Sequence, residues 1–338
     1  MTESIVLEKL NNNNGMEIGL INVGATLTSI TFPGIGGGRD ELTLGFESSE
    51  AYIENPPYFG STPGRVASRI TGGRFELNGR TYNLQRNAGQ HTLHGGNPGF
   101  GSRYWKCIRD DQANSVTYNY VSPAGENGFP GTLDATVRYC LNNENEIIIE
   151  YFAETDEDTV INLTNHAYFN FSGGKTTIRD HLLYLACDYY VVTDKNDVPT
   201  GELRPTSGTP MDFSVPRRLG EAIDSDFEAI KKVGGLDTCF AVKGEGLRRA
   251  AVLSDPATGY RLEVDTDMPG IVVYTAQLLP KGTKGRGGLI YGPFSGVCLE
   301  AQNLMDAPNQ PDFPSPVLRK GDIYKRTIIY RFSKEEIS

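Results

Sequence analysis

Four histidines occur in this chain of 338 residues, and two of them, His94 and His166, stand among other groups able to bind a ligand or move a proton. In the run Val160 to Phe171, alternation places Asn162, Thr164, His166, Tyr168 and Asn170 on one face. Ile161, Leu163, Ala167, Phe169 and Phe171 fall on the other, with Asn165 the exception. Such a polar face suits a ligand groove, or merely the hydrated outer side of a strand. The run Gln90-His91-Thr92-Leu93-His94-Gly95-Gly96 sets two glycines after His94, where backbone would be free to approach a ligand closely. His91 and His94 are spaced to chelate a metal, yet no second histidine pair or cysteine cluster completes a site, so no metal is expected. In Gly296-Val297-Cys298-Leu299-Glu300-Ala301-Gln302, Glu300 and Gln302 share a face opposite Val297, Leu299 and Ala301, and spacing alone favours a glutamate on the wet face of a strand. Arg65, Arg69, Arg74, Arg80 and Arg86 crowd into about two hairpins. They read either as a phosphate pocket or, with more support, as charges that decorate strand edges and loops.

The elements that must hold these residues are strands. Phe75 and Leu77 alternate with polar residues, Asn78-Gly79 supplies the positive φ angles of a tight turn, and Tyr82 and Leu84 resume the alternation, which predicts a hairpin from Arg74 to Leu84. Val116 to Tyr120, Leu133 to Leu141 and Ile147 to Ala153 alternate in the same way. Further strand-like runs are 160–171, 182–192, 260–266, 271–278, 296–302 and 327–332. Only 219–233 has a loosely helical spacing, and short turns of helix are expected there. Glycine- and proline-rich stretches at 34–38, 282–296 and 308–316 are bounded by strand-like sequence and read as loops rather than linkers. The pattern predicts an all-β fold, a large antiparallel β-sandwich with few short helices, as a single domain over 1–338.

Composition narrows the function classes. Asp and Glu outnumber Lys and Arg by 42 to 32, a net charge of −10, which disfavours nucleic acid and anionic membrane surfaces as partners. No segment approaches the ~20 consecutive apolar residues of a spanning helix, and the polar start Met1 to Asn14 lacks the apolar core of a signal peptide. Five scattered cysteines form no CxxC pair, so neither a disulfide framework nor a thiolate zinc site is indicated and a cytoplasmic location is expected. No glycine cluster has the spacing of a dinucleotide or nucleoside-triphosphate cradle.

Six strings in order carry a resemblance: Gly64-Arg65-Val66-Ala67-Ser68-Arg69-Ile70 with Gly73-Arg74-Phe75; Leu93-His94-Gly95-Gly96; Asn162-Leu163-Thr164-Asn165-His166-Ala167-Tyr168-Phe169-Asn170; Gly235-Leu236-Asp237; and Cys298-Leu299-Glu300-Ala301-Gln302-Asn303. From about Gly19 to Phe332 the chain resembles the aldose 1-epimerases, or galactose mutarotases. The resemblance implies a β-sandwich with an open sugar cleft on a concave face, and cofactor-free interconversion of the α and β anomers of free aldoses such as galactose and glucose. It further implies Glu300 as general base, His166 as general acid, and His94, Arg69 and Asp237 as residues that bind or polarise the sugar. Ser68, Thr238 and Gln277 depart from the family's common residues, and bear on which sugar is preferred. Ring opening needs one group to accept the anomeric hydroxyl proton and another to donate to the ring oxygen, so His166 is expected to be charged near neutrality with support from Asp237 or Glu300. Two other readings compete: a hexose-6-phosphate epimerase served by the arginines, and a sugar-binding protein without turnover. Retention of both Glu300 and His166 weighs against the second.

Overall fold

The computed structural model describes residues 4–34 and 38–335. Among these, the two principal sheets are antiparallel throughout. Nine strands run in the order Arg217–Arg218, Leu182–Leu185, Arg248–Ser254, Tyr260–Thr266, Tyr324–Lys334, Glu146–Thr155, Leu133–Leu141, Ser115–Ser122, Lys106–Asp110. Six more run Tyr168–Phe169, Val297–Gln302, Gly270–Tyr274, Asp237–Val242, Cys187–Thr193, Pro199–Pro205. A four-stranded sheet spans Leu7–Asn11, Glu17–Ile21, Thr26–Pro33 and Arg39–Glu41.

The period-two sequences do what their pattern requires. In Leu133–Leu141 every odd position is buried and the intervening ones are partly exposed, and Tyr260–Thr266 repeats the pattern. The buried faces of the nine-stranded sheet, Val137, Ile149, Tyr151, Val264 and Tyr330 among them, share one core with Phe240, Ile271, Leu299 and Ala301 of the six-stranded sheet and with Leu10, Ile18 and Leu27 of the smaller one. This is the expected β-sandwich. The hairpin is present as Arg74–Leu77 and Arg80–Asn83, with Asn78 and Gly79 at φ 51° and 72°. Leu219–Ile223 and Glu228–Val233 are the only α-helices among the described residues. No helix among them is long and apolar enough to cross a membrane.

Three expectations need correction. The run 182–192 is two strands, one in each large sheet, and the chain crosses at Ala186, whose N–H donates to Ala250 beside the first and whose carbonyl accepts from Lys243 beside the second. The run 160–171 is extended but mostly lacks ladder partners: it pairs at Thr159–Val160 and Tyr168–Phe169, and between them lies along residues 60–67. Its polar face is not wet, since Asn162, Thr164, His166, Tyr168 and Asn170 are all buried. Of the loop predicted at 34–38, residues 35–37 lie outside the described residues.

Candidate active site

The strand Val297–Gln302 is buried on both sides. Val297, Leu299 and Ala301 enter the main core, which turns Cys298 and Glu300 the other way, under the floor of a cavity of about 500 Å³. Glu300 pairs across the sheet with Val272, and Cys298 with both Tyr168 and Tyr274. The glutamate is therefore not on a wet face, and only 3% of its surface is exposed.

His166 reaches the same point from the extended segment beside residues 60–67. Its backbone N–H donates to the Ser61 carbonyl at 3.0 Å and its carbonyl accepts from Gly60 N–H at 2.9 Å. Asn165 turns inward to donate to the Gly60 carbonyl and the Tyr139 hydroxyl, which accounts for its break in the polar pattern. Of the five polar positions, His166 and Tyr168 line the cavity. Asn162 and Asn170 instead bind backbone at Asn303, Thr176 and Ser295.

His166 Nε2 lies 3.6 Å from Glu300 Oε1, and Nδ1 lies 3.5 Å from Cys298 Sγ. The expectation of a charged resting His166 does not hold. Burial lowers its pKa to about 4. Burial, and then the charge of Asp237, pushes Glu300 well above the usual carboxylate range. Both groups are driven toward their neutral forms.

His94 projects from a backbone at φ 51°, and its Nδ1 accepts the Ser68 N–H at 3.1 Å. That bond fixes the neutral tautomer with Nε2–H as a donor, and burial, reinforced by the neighbouring His166 and Arg69 charges, holds the ring well below its usual pKa. The two glycines after it serve a different approach from the one expected: a Cβ on Gly95 would sit 2.0 Å from the Gly64 carbonyl oxygen, so the close contact is with backbone and not with a ligand. Asp237 opens the next strand but one in the same sheet, and burial, followed by the charge of Asp197, raises it to about 6. Arg69 completes the wall and donates from Nη1 to Asp197 Oδ2 at 2.8 Å.

All five residues singled out in the sequence thus line one cavity. Others there were given no role by the sequence, although Tyr58 opens a further family-like string, Tyr58-Phe59-Gly60, and Tyr168 stands on the polar face of the run 160–171. Tyr58, at φ 60°, places its ring centroid 4.7 Å from His94 and 5.9 Å from His166. Tyr168 stacks 5.2 Å from His166, and Phe46, Pro57, Leu279 and Pro280 form an apolar rim. Among the departures Ser68 lines the cavity, Thr238 faces a neighbouring pocket, and Gln277 accepts from the Thr275 hydroxyl.

The arginines do not converge. Arg65 is buried and donates to the carbonyls of Pro130, Gly131 and Ser122 and to the Ser122 hydroxyl, so it decorates no strand edge and is not available to phosphate. Arg74, Arg80 and Arg86 are exposed. The histidine pair is divided as well, because His91 Nδ1 accepts from Gly72 N–H. The metal-compatible grouping among the described residues is instead His166, Cys298 and Glu300, whose donor atoms lie within 4.8 Å of one another.

Comparison with known proteins agrees with this geometry. Galactose mutarotase of Rattus norvegicus is 38% identical over 320 residues, covering 94% of this chain and 91% of that protein. Aldose 1-epimerase of Escherichia coli K12 is 36% identical over 333 residues, covering 96% and 94%. The crystal structure of an aldose epimerase homologue from C. elegans superposes with a TM-score of 0.91 at 31% identity, covering 98% of this chain and all of that one. The family model described as aldose 1-epimerase matches residues 7–331, so the cavity that joins Glu300, His166 and His94 is that of a protein that belongs to the aldose 1-epimerase family.

Proposed function

We propose that this aldose 1-epimerase acts on free aldoses such as galactose and glucose, with Glu300 as general base, His166 as general acid, and His94, Arg69 and Asp237 as sugar ligands. The observation that carries the reading is the 3.6 Å approach of His166 Nε2 to Glu300 Oε1 at the floor of a cavity whose wall holds the other three. An acid and a base this close can flank one anomeric centre, where the hydroxyl oxygen and the ring oxygen are bonded to the same carbon.

Glu300 takes the anomeric hydroxyl proton while imidazolium His166 gives its Nε2 proton to the ring oxygen, and the C1–ring-oxygen bond breaks. Rotation about C1–C2 presents the other face of the aldehyde. Closure reverses both transfers and returns the enzyme unchanged. The protonation balance supports this cycle. Carboxylate with imidazolium and carboxylic acid with imidazole contain the same number of protons, so moving one proton across the pair converts the first into the second without help from solvent. Opening leaves the neutral pair, which is the pair that burial favours. Opposite charges 3.6 Å apart offset part of the cost of the charged pair.

Neutral His94 donates from Nε2–H, Asp237 accepts hydroxyl hydrogens, Arg69 donates, and the apolar rim suits the C–H face of a sugar ring. The burial of Arg65 supports a neutral substrate over a 6-phosphate, because it leaves Arg69 as the only arginine or lysine lining the cavity among the described residues. Polarimetry tests both points. α-Galactose and α-glucose should be converted with specificity constants at least about 100-fold above that for glucose 6-phosphate, with little dependence on salt. A preference for the phosphate that fades as salt is added would overturn the substrate assignment. Sugar binding without any mutarotation would overturn the acid and base.

A further inference from the structure

Arg69 is held by a residue outside the cavity wall. Its Nη1 donates both to the backbone carbonyl of Asp197 at 2.5 Å and to that residue's Oδ2 at 2.8 Å. Asp197 sits in the turn that joins Cys187–Thr193 to the edge strand Pro199–Pro205, at φ 61°. From the opposite side Lys232 of the helix Glu228–Val233 approaches Asp197 Oδ1 at 3.5 Å, and its Nζ also donates to Thr193 Oγ1 and the Asp194 carbonyl. One carboxylate is thus gripped by two cations, and both ends of the ion pair with Arg69 are about four-fifths buried.

The turn does not need the Asp197 carboxylate to close. It closes on Asp194, whose Oδ1 accepts the N–H groups of Asn196 and Val198. The Asp197 side chain is left with the cations as its partners, and of these Arg69 enters the sugar cavity. That cavity also contains Asp237 and Glu300. A guanidinium free to turn would pair with Asp237, whose acidity it already influences, and would take from the sugar that residue's acceptor oxygens.

We propose that Asp197 is a positioning residue for sugar binding: it draws one arm of the Arg69 guanidinium to the rim of the cavity and leaves the remaining N–H groups for sugar hydroxyls. The proposal rests on the reading of Arg69 as a sugar ligand. It adds the residue that orients it.

The test is a double-mutant cycle on the full-length protein with galactose mutarotation as the readout. Asp197→Ala should raise KM about tenfold with kcat within about threefold of wild type, and Asp197→Glu should recover most of the loss. In an Arg69→Ala background, Asp197→Ala should add nothing, because its effect passes through the missing guanidinium. Asp197→Asn retains the shape and the backbone carbonyl contact, and should raise KM about threefold even if the alanine variant proves too unstable to assay. A KM within twofold of wild type for both the alanine and asparagine variants overturns the proposal, as do effects that multiply in the double variant. Arg69→Ala with an unchanged KM would defeat the sugar-ligand reading, and this proposal with it. A raised KM in Arg69→Ala beside a normal one in Asp197→Ala would defeat this proposal alone.

Discussion

The two large sheets treat the same residue types in opposite ways. On the half-exposed face of the nine-stranded sheet, acids stand directly across from arginines: Arg331 from Glu146 and Glu263, Arg138 from Glu150, Arg249 from Asp265. Arg331 holds Glu146 at 2.6 Å and Glu263 at 3.1 Å, and Arg138 holds Glu150 at 2.8 Å. Over the six-stranded sheet, Glu300 has no arginine partner and meets only the His166 ring at 3.6 Å, while the charge of Asp197 bears on Asp237. The paired acids spend their oxygens on arginines, and at Glu263 Arg249 and Arg331 outweigh burial and hold the carboxyl below its usual range. Unpaired acids under cover have their acidity displaced toward the range in which a proton can be exchanged with a substrate.

Removing one carboxyl charge from each sheet breaks that comparison most sharply. Glu300→Gln retains the shape without the basicity and should lower kcat about 10²- to 10⁴-fold while galactose still binds. Glu150→Gln, across from Arg138, should leave kcat within twofold and change stability by at most about 1 kcal/mol. Near-normal turnover in Glu300→Gln would remove the base from the mechanism.

The acid and the ligands come next. His166→Asn should depress kcat about 100-fold or more with little change in KM, whereas Arg69→Ala and Asp237→Ala should also weaken saturation, because hydroxyl contacts are made in ground and transition states alike. Unchanged KM in both of the latter would refute their binding role.

These roles were legible in the sequence to different degrees. The sandwich was, because alternation at 133–141, 147–153 and 260–266 is the direct consequence of one core face and one half-exposed face. The strands at Leu7–Asn11 and Glu17–Ile21 gave no comparable signal, since Glu17–Ile21 is buried at consecutive positions and period two vanishes when both faces are covered. Glu300 failed the alternation reading for the same reason: its strand faces the core on one side and the closed floor of a cavity on the other, so a catalytic and a hydrated glutamate have identical spacing. Only the ordered family strings marked it. The roles of Tyr58, Cys298 and Asp197 escaped, although the first two stand in family-like strings, because what matters about them is a contact across more than 30 residues, which no local pattern encodes. The charge state of His166 was misjudged because proximity to a carboxylate is visible in a motif and the extent of burial is not.

A third prediction sharpens the contrast through pH. Asp237 has its pKa raised to about 6. As pH falls through that value the residue is protonated and loses acceptor capacity, so KM should rise on the acid side of about pH 6. Stability should respond in the opposite sense. The folded pKa lies above the ordinary 3.8 of an aspartate, so the fold favours the neutral form, and that contribution is present at low pH and lost as pH rises through about 6. Asp237→Asn should therefore raise the melting temperature relative to wild type at pH 8, and the gain should vanish near pH 4. A loss of stability at pH 8 that shrinks as pH falls would show that Asp237 is held by ion pairing with Arg69 and not disfavoured by burial.

The smallest effects are expected at the histidine that local spacing made most conspicuous. His91 stands three residues before His94, yet its Nδ1 accepts the Gly72 N–H at 3.2 Å while His94 Nδ1 accepts from Ser68, so each ring is already engaged by a different stretch of backbone. His91→Ala should cost about 1 kcal/mol of stability through the lost hydrogen bond and leave kcat and KM unchanged. The donor set within reach of one ion is His166, Cys298 and Glu300, and two of these are assigned to proton transfer, so an ion there would occupy the lone pairs the reaction uses. Exhaustive chelation should accordingly leave mutarotation unchanged, and a thiophilic divalent ion should inhibit rather than activate, with Cys298→Ala less sensitive than wild type. Activity lost to the chelator and restored by a divalent ion would assign this buried trio to a metal and return the proton transfers to a bound water.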